Sequence, residues 1–331
     1  MLNAAIIGLG GWGQKLVRSV HGKSDKVTIA RAVTRTPAKV ADFAREAEIP
    51  IGNDYAAVLA DPGIDAVIIA TPHSQHVDQI VAAAGADKHV FVEKPLALTR
   101  ADVAEAFDAC EHAGVMLAVG QNRRFLPGVR EIERLLRSGA LGKLLHMEGN
   151  FSGPSGARHA VSNWRASSEE SPWGGMTGKG LHLSDLMILL AGPIAEVHAR
   201  SKRRVVTADL DDVTVTLMDF TSGVTGTLAT LTATADMFRL RVFGSAGWAE
   251  LDGQHRLRVA LIGEEERVAD LPKVDIERAE QEAFADAVAG RMAYPVTRHE
   301  AENNIAFLEA IGRSVAAGGP VSIQSDWMLM G

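Results

Sequence analysis

The sequence predicts an α/β protein, with a doubly wound parallel sheet in its first third and an α+β region with a mainly antiparallel sheet in the rest. Three observations carry that expectation. Between residues 3 and 120 short β-branched runs alternate with longer amphipathic ones, the pattern of parallel strands joined by crossover helices. Between residues 197 and 250 strand-like runs follow one another with no helix among them, which points to antiparallel pairing. A glycine-rich turn, GLGGWG at residues 8–13, stands between the first strand and the first helix.

Taken in order, residues 4–7, 27–33, 66–70, 89–92 and 115–119 are short and rich in β-branched side chains, so they read as strands buried on both faces. Residues 12–20, 37–47, 55–59, 74–84 and 100–112 space their apolar side chains as helices do. Pro37 suits a first helical turn with Thr36 as its cap, and Thr99 is placed to cap the helix that follows it. Further on, 128–137 reads as a helix ending at Ser138-Gly139 and 144–151 as a strand. Residues 152–171, rich in Gly, Ser and Pro, read as a long loop, and loops of that length are commonly functional. A helix at 181–190 stops at Gly192-Pro193. The alternation of Val213, Val215 and Leu217 and the Thr-rich run 224–234 mark strands, and helices at 276–289 and 299–317 close the chain. The motifs set the expected domains at 1–120 and 121–331, with the last helices packing back near the junction.

The 331 residues suffice for about two domains. Lys and Arg number 34 against 41 Asp and Glu, a net charge of −7. That is the wrong sign for sequence-independent nucleic-acid binding or for a polybasic membrane surface. The single cysteine, Cys110, excludes an intrachain disulfide and a multi-cysteine metal site. The first residues lack a basic segment ahead of a long apolar run, and no apolar run approaches the ~20 residues of a membrane span. The expectation is a cytoplasmic protein that acts on a small molecule.

In GLGGWG, Gly8 permits a tight turn, Gly10 lets a pyrophosphate approach the backbone, and Gly13 permits close packing of helix on strand. Gly11 and Trp12 open the helix, whose first N–H groups are a ready anion site. The turn therefore points to a dinucleotide. The second strand ends in Ala32-Val33-Thr34-Arg35-Thr36, with no acidic residue to accept from a ribose 2′-hydroxyl. Thr34 and Arg35 suit a 2′-phosphate, which favours NADP; NAD remains the alternative if Arg35 merely covers the adenine face. His73 and His76 are spaced like a metal pair but lack a third ligand, so no metal is expected. Gly22-Lys23-Ser24 lacks the upstream glycine of a P-loop, position 17 being Val17, and no G-x-S-x-G elbow is present. Lys94, in FVEKP at a strand end, can point into the crevice where such sheets bind ligands; taken alone it reads as a surface lysine.

Together these residues resemble the glucose–fructose oxidoreductase / inositol dehydrogenase / rhizopine-catabolism (Gfo/Idh/MocA) family. The likeness runs along essentially the whole chain: GLGGWG, VTRTPAKVADFA, the T-P-x-x-x-H segment 71–76, EKP at 93–95, QNRRFLPGVREI from Gln121, SGALGKLLHMEG from Ser138, Trp164-Arg165, GKGLHLSD at 178–185, and the pattern from Glu282 to Ile323. The resemblance implies a Rossmann domain followed by a domain with an open, mainly antiparallel sheet, through which a homo-oligomer, dimer or tetramer, would form. It implies hydride transfer between a nicotinamide and a secondary alcohol or ketone of a sugar, cyclitol or related substrate. Lys94 and His182 would be catalytic, the one hydrogen-bonding the reacting oxygen and the other exchanging its proton. Thr71, Pro72, His73, His76, Glu93, Lys94, Gln121, Trp164 and Arg165 would join the glycine turn, Thr34 and Arg35 around the cofactor. Lys94, Arg123, Trp164, Lys179, His182 and Asp185 would face the substrate; Asp185 could equally be a buried structural carboxylate.

One position departs from the family pattern. Many members carry an Asp four residues before this histidine, and here Gly178 stands there, followed by Lys179. An electropositive pocket of Lys94, Lys179 and Arg165, with Arg123 or His159, would suit a substrate bearing a carboxylate. The departure also leaves open a non-catalytic NAD(P)- or sugar-sensing protein on the same fold, and a lyase or glycosidase that uses the hydride step without net change of the cofactor.

Overall fold

The computed structural model describes residues 1–158 and 164–323, and the chain falls into two compact units. The first comprises Met1–Asn122 together with Asp275–Ala301, the second Arg123–Val274 with Glu302–Gly331. Relative to a single boundary near Gly120, the difference is that 275–301 returns to the first unit.

The first unit is built on β1 (Leu2–Ile7), α1 (Gly11–Val20), β2 (Val27–Val33), α2 (Ala41–Glu46), β3 (Ile51–Gly52), α3 (Tyr55–Leu59), β4 (Ala66–Ile69), α4 (His76–Ala84), β5 (His89–Glu93), α5 (Arg100–Ala113) and β6 (Leu117–Gly120). The six strands are parallel in the order β3-β2-β1-β4-β5-β6. Every residue of β4 and β6 is buried, as the unbroken apolar runs require of strands covered on both faces. The order reverses between β1 and β4, and ligands of such sheets bind outside the carboxyl ends at that switch point. β3, two residues long, is too short for a periodicity to reveal.

Thr99 caps α5 as expected, its Oγ1 accepting from Asp102 N at 3.2 Å. Thr36 does not cap with its side chain; its carbonyl accepts from Lys39 N instead, because Pro37–Val40 forms a tighter 3₁₀ turn ahead of α2. The helix Ile276–Val288 braces α1. Gln281 Nε2 donates to Ser19 Oγ at 2.9 Å and to Leu16 O, Arg278 Nε donates to Ser19 O at 2.7 Å, and Lys15 Nζ pairs with Glu277 at 2.7 Å. Its Phe284, fully buried, packs on Phe91 of β5 at 5.8 Å between ring centroids. Cys110 is buried in α5, and burial pushes its thiol up to about 12, so it stays an inert packing residue.

The second unit contains α6 (Pro127–Arg137), β7 (Leu144–Ser152), the single turn α7 (Ser155–Arg158), α8 (Leu181–Ala191), β8 (Ile194–Lys202), β9 (Val213–Phe220), β10 (Thr225–Leu231), β11 (Met237–Gly244), β12 (Gly247–Asp252), β13 (Arg256–Leu261) and β14 (Arg267–Asp270). After the helix at Ile276–Val288, here α9, come α10 (Arg298–Ala317) and β15 (Val321–Ser322). Nine strands pair in the order β14-β13-β12-β11-β7-β10-β9-β8-β15. All pairs are antiparallel except β7 with β10, which run parallel.

Burial alternates residue by residue along β9 and β10, so one face of the sheet is covered and the other is open. The covering element is α8. It lies so close to β7 that a Cβ at Gly149 would come within 2.8 Å of Met187 Cε. The loop expected over 152–171 holds α7 and a 3₁₀ turn at Trp164–Ala166 among its described residues. No helix among the described residues is long and apolar enough to cross a membrane.

Candidate active site

The glycine turn after β1 is a steric necessity. Gly8 has φ +96°, a region L side chains rarely adopt, and a Cβ there would meet Ala70 and Thr71 backbone at 2.7–2.9 Å. A Cβ at Gly13 would stand 2.0 Å from the Gly8 carbonyl oxygen. The first turn of α1 thus packs directly on the strand end. Gly10 and Gly11 behave oppositely: a Cβ at either would meet no atom within 4 Å. Their bareness serves no packing inside the protein, and it leaves the helix N-terminus, with no acidic side chain in its first turn, open to an anion.

Two polar atoms of the same unit, Trp12 Nε1 and Gln121 Oε1, are buried without a hydrogen-bond partner among the described residues. A buried orphan of this kind calls for an explanation, and a polar ligand at the sheet edge is one. Lys15 Nζ lies 4.7 Å from the Trp12 ring centroid, and Glu277 bridges Lys15 and Asn122. The glycine cradle and these two atoms fit a dinucleotide.

At the end of β2, Thr34 N donates to Gly52 O at 3.0 Å, while Arg35 and Thr36 are exposed. After β4, Thr71 Oγ1 hydrogen-bonds Gln79 Oε1 at 2.6 Å, Pro72 is half-buried, and His73 is buried edge-on to His76. His76 is fully buried, with Nε2 3.1 Å from Thr71 O and Nδ1 3.0 and 3.2 Å from Pro95 O and Leu96 O. It ties the loop after β4 to the loop after β5. Both ring nitrogens thus lie within hydrogen-bond distance of backbone carbonyls. Glu93 is buried at the end of β5, and Lys94, next along, is half-buried.

In the second unit the chain enters α8 through a π-helical turn, Met176–Gly180. Gly178 lies in that turn, exposed, with open space where a side chain would project. His182 is buried in the first turn of α8, and its ring lies 6.2 Å from that of Phe151 of β7. Lys179 Nζ and the Arg123 guanidinium carbon lie 5.5 and 5.6 Å from the Phe151 ring centroid. Trp164 is half-buried, whereas the Arg165 side chain and His159 lie outside the described residues.

Asp185 lies against a buried guanidinium. Its carboxylate receives Arg124 Nε and an Nη at 2.8 and 2.7 Å, and both side chains are about 99% buried. Of the two readings the sequence left open, the buried structural carboxylate is the one this geometry supports. Asn304 of α10 completes the fixing of α8: its Nδ2 donates to Leu181 O at 3.0 Å and its Oδ1 accepts from Ser184 Oγ at 2.5 Å. Asn303 holds Ile194, just past the end of α8, by both backbone groups.

Sequence reasoning missed Arg124, Phe151 and Glu277. Phe151 had a usable signal, since the two-residue period of β7 puts it on the face of Gly149, beneath α8. Arg124 and Glu277 had none, because adjacent arginines in QNRRF give no hint which turns inward.

Comparison with known proteins matches residues 2–121 to the model of an oxidoreductase family with an NAD-binding Rossmann fold, and residues 129–250 to the GFO/IDH/MocA C-terminal domain. The chain belongs to the Gfo/Idh/MocA oxidoreductase family. Among its relatives, 2,7-anhydro-N-acetylneuraminate hydratase of Escherichia coli K12 is 30% identical over 198 residues, 59% of this chain and 51% of that protein. The chain thus spans about half the length of that relative. D-xylose 1-dehydrogenase (NADP(+)) 2 of Haloferax volcanii is 28% identical over 96% of this chain and 98% of its own. A solved structure described as a putative NADPH-dependent oxidoreductase from Desulfitobacterium hafniense superposes with a TM-score of 0.91 at 24% identity, covering 97% of each chain; that likeness bears on the fold.

Two outcomes follow for this family member. Gly13→Ala must push α1 off the Gly8 carbonyl, and overpacking of this kind costs about 1–3 kcal/mol. Fluorescence titration should show dinucleotide affinity reduced by about tenfold or more, alongside a lowered melting temperature. Asp185→Ala removes both hydrogen bonds that the buried Arg124 guanidinium donates to this carboxylate and should lower the unfolding free energy by about 3–5 kcal/mol in urea titrations. A near-neutral result would show that the pair does not form.

Proposed function

We propose that this protein is an NAD(P)-dependent oxidoreductase that passes hydride between the nicotinamide and a secondary alcohol or ketone of a sugar, cyclitol or related polyol. The observation that carries the reading is one sheet edge. The glycine turn follows β1 and Lys94 follows β5 of the same parallel sheet, both at carboxyl ends. The family's oxidoreductase character supports it and weighs against the sensor reading.

In this reading the turn at residues 8–13 and the N–H groups opening α1 hold the pyrophosphate. Thr34 and Arg35 face the adenosine ribose, and the lack of an acidic side chain there supports NADP over NAD. Trp12, Thr71, Pro72, His73, His76, Glu93, Gln121, Trp164 and Arg165 would complete the surroundings of the cofactor. The Lys94 ammonium donates to the reacting oxygen and stabilises its alkoxide character. His182 takes or returns the hydroxyl proton, a task suited to imidazole because it titrates near neutrality. On the open face of the second unit's sheet, Val215 and Leu217 are 43% and 49% exposed, which supports assembly into a dimer or tetramer through that face.

A second reading, redox-neutral chemistry with the cofactor restored at each turnover, is favoured by the 30% identity to a hydratase. Absorbance at the nicotinamide band separates the two, since only net oxidation of a polyol accumulates reduced cofactor.

Lys94→Ala should lower kcat by roughly 10²–10³ while leaving the cofactor Kd nearly unchanged. Equal turnover would remove Lys94 from the chemistry. Arg35→Asp should shift the NADP/NAD ratio of kcat/KM toward NAD by roughly 10–100-fold, the worth of one charge-assisted contact. An unchanged ratio would show that Arg35 does not read the phosphate.

A further inference from the structure

We propose that Gln79 of α4 is a positioning residue for the cofactor: it takes the Thr71 hydroxyl proton and leaves Thr71 Oγ1 as an acceptor for a hydroxyl of the nicotinamide-side ribose. The inference rests on the NAD(P) reading above, and all its residues belong to the first unit.

Thr71 is the second residue past β4 and lies against the glycine turn. Ala70 N donates to Ile7 O at 2.8 Å, which joins the ends of β1 and β4. A Cβ at Gly8 would come within 2.9 Å of Thr71 N. The strand order reverses between these two strands, and sheets of this kind bind their ligands at that point. The pyrophosphate belongs to the turn after β1. A residue that follows β4 belongs to the second mononucleotide half, that of the nicotinamide riboside.

Thr71 is fixed three times over. Its amide abuts Gly8, its carbonyl oxygen lies 3.1 Å from His76 Nε2, and its Oγ1 donates to Gln79 Oε1 at 2.6 Å. The last distance suits an O–H···O bond and is short for an amide N–H donor, so the Gln79 oxygen is the atom that meets the hydroxyl. Gln79 is held in turn: the Tyr55 phenol of α3 donates to its backbone oxygen at 2.8 Å. Burial pushes the Tyr55 pKa up, so the phenol stays protonated and goes on donating.

A threonine hydroxyl has one proton and two lone pairs. With the proton committed to Gln79, Oγ1 can only accept from a further partner, and Thr71 is half-buried rather than sealed in the core. Phosphate oxygens are acceptors and would be repelled by it. A ribose hydroxyl can donate. A freely rotating hydroxyl would suit either group; the bond to Gln79 makes the choice before the ligand arrives, which is preorganisation.

The test is a double-mutant cycle read by fluorescence titration, without turnover, of whichever of NADPH and NADH binds more tightly. Thr71→Val should weaken binding by about tenfold. Gln79→Met and Gln79→Leu, which remove the acceptor at similar size, should each weaken it by about three- to tenfold. Gln79→Glu keeps an oxygen acceptor and should stay within about threefold of the unsubstituted protein. In the Thr71→Val background, Gln79→Met should add less than about twofold, because its effect runs through the hydroxyl. The proposal is overturned if both apolar variants bind as the unsubstituted protein does, if Gln79→Glu loses as much affinity as Gln79→Met, or if the Gln79→Met and Thr71→Val losses are fully additive. Failure of the unsubstituted protein to bind either dinucleotide removes the NAD(P) reading and this inference with it. Binding that the Gln79 variants leave unchanged removes this inference alone.

Discussion

The contact between the bare Cα of Gly13 and the carbonyl of Gly8 is the constraint on which the first unit's ligand edge depends. Because the helix touches the strand end directly, α1 begins at Gly11, and its unsatisfied N–H groups open at the edge of the sheet where the strand order reverses. The brace from α9 follows from the same geometry. Its Gln281 and Arg278 bind the Leu16 and Ser19 end of α1, so both ends of a ten-residue helix are held, one by backbone contact and one by side chains.

The second unit solves a related problem with buried polar groups. Its α8 is apolar nearly all round, and a helix of that kind could slide on the sheet. The Arg124–Asp185 pair and the Asn303 and Asn304 amides fix its position and roll. A buried ion pair adds little net stability over a well-packed apolar pair, so its value here is to set which side of α8 His182 occupies.

The sequence made most of the first sheet legible because its longer strands are short runs rich in β-branched residues and its crossovers have helical spacing; two-residue β3 left no pattern to read. It made the glycine turn legible because Gly8 and Gly13 answer to local sterics. It did not reveal which of Arg123 and Arg124 turns inward, since both lie in one 3₁₀ turn, Asn122–Phe125, too short to have a period to read. Nor did it reveal that 275–301 belongs with the first unit, because α9 is an ordinary amphipathic helix whose partner is set by shape. Asp185 shows the same limit: helical spacing from His182 put it on the right face, and only the buried guanidinium opposite decided its role. Nothing in the sequence signalled the bonds from His76 to the Thr71, Pro95 and Leu96 carbonyls that tie two loops together.

The proposed preference for NADP over NAD rests on Thr34 and Arg35, which stand at the end of β2 where no acidic side chain is present. Fluorescence titration of the unmodified protein with NADPH and with NADH tests it most directly. Saturable binding of both is expected, with NADPH the tighter. Failure of either to bind, at concentrations that saturate a working dehydrogenase, would contradict it.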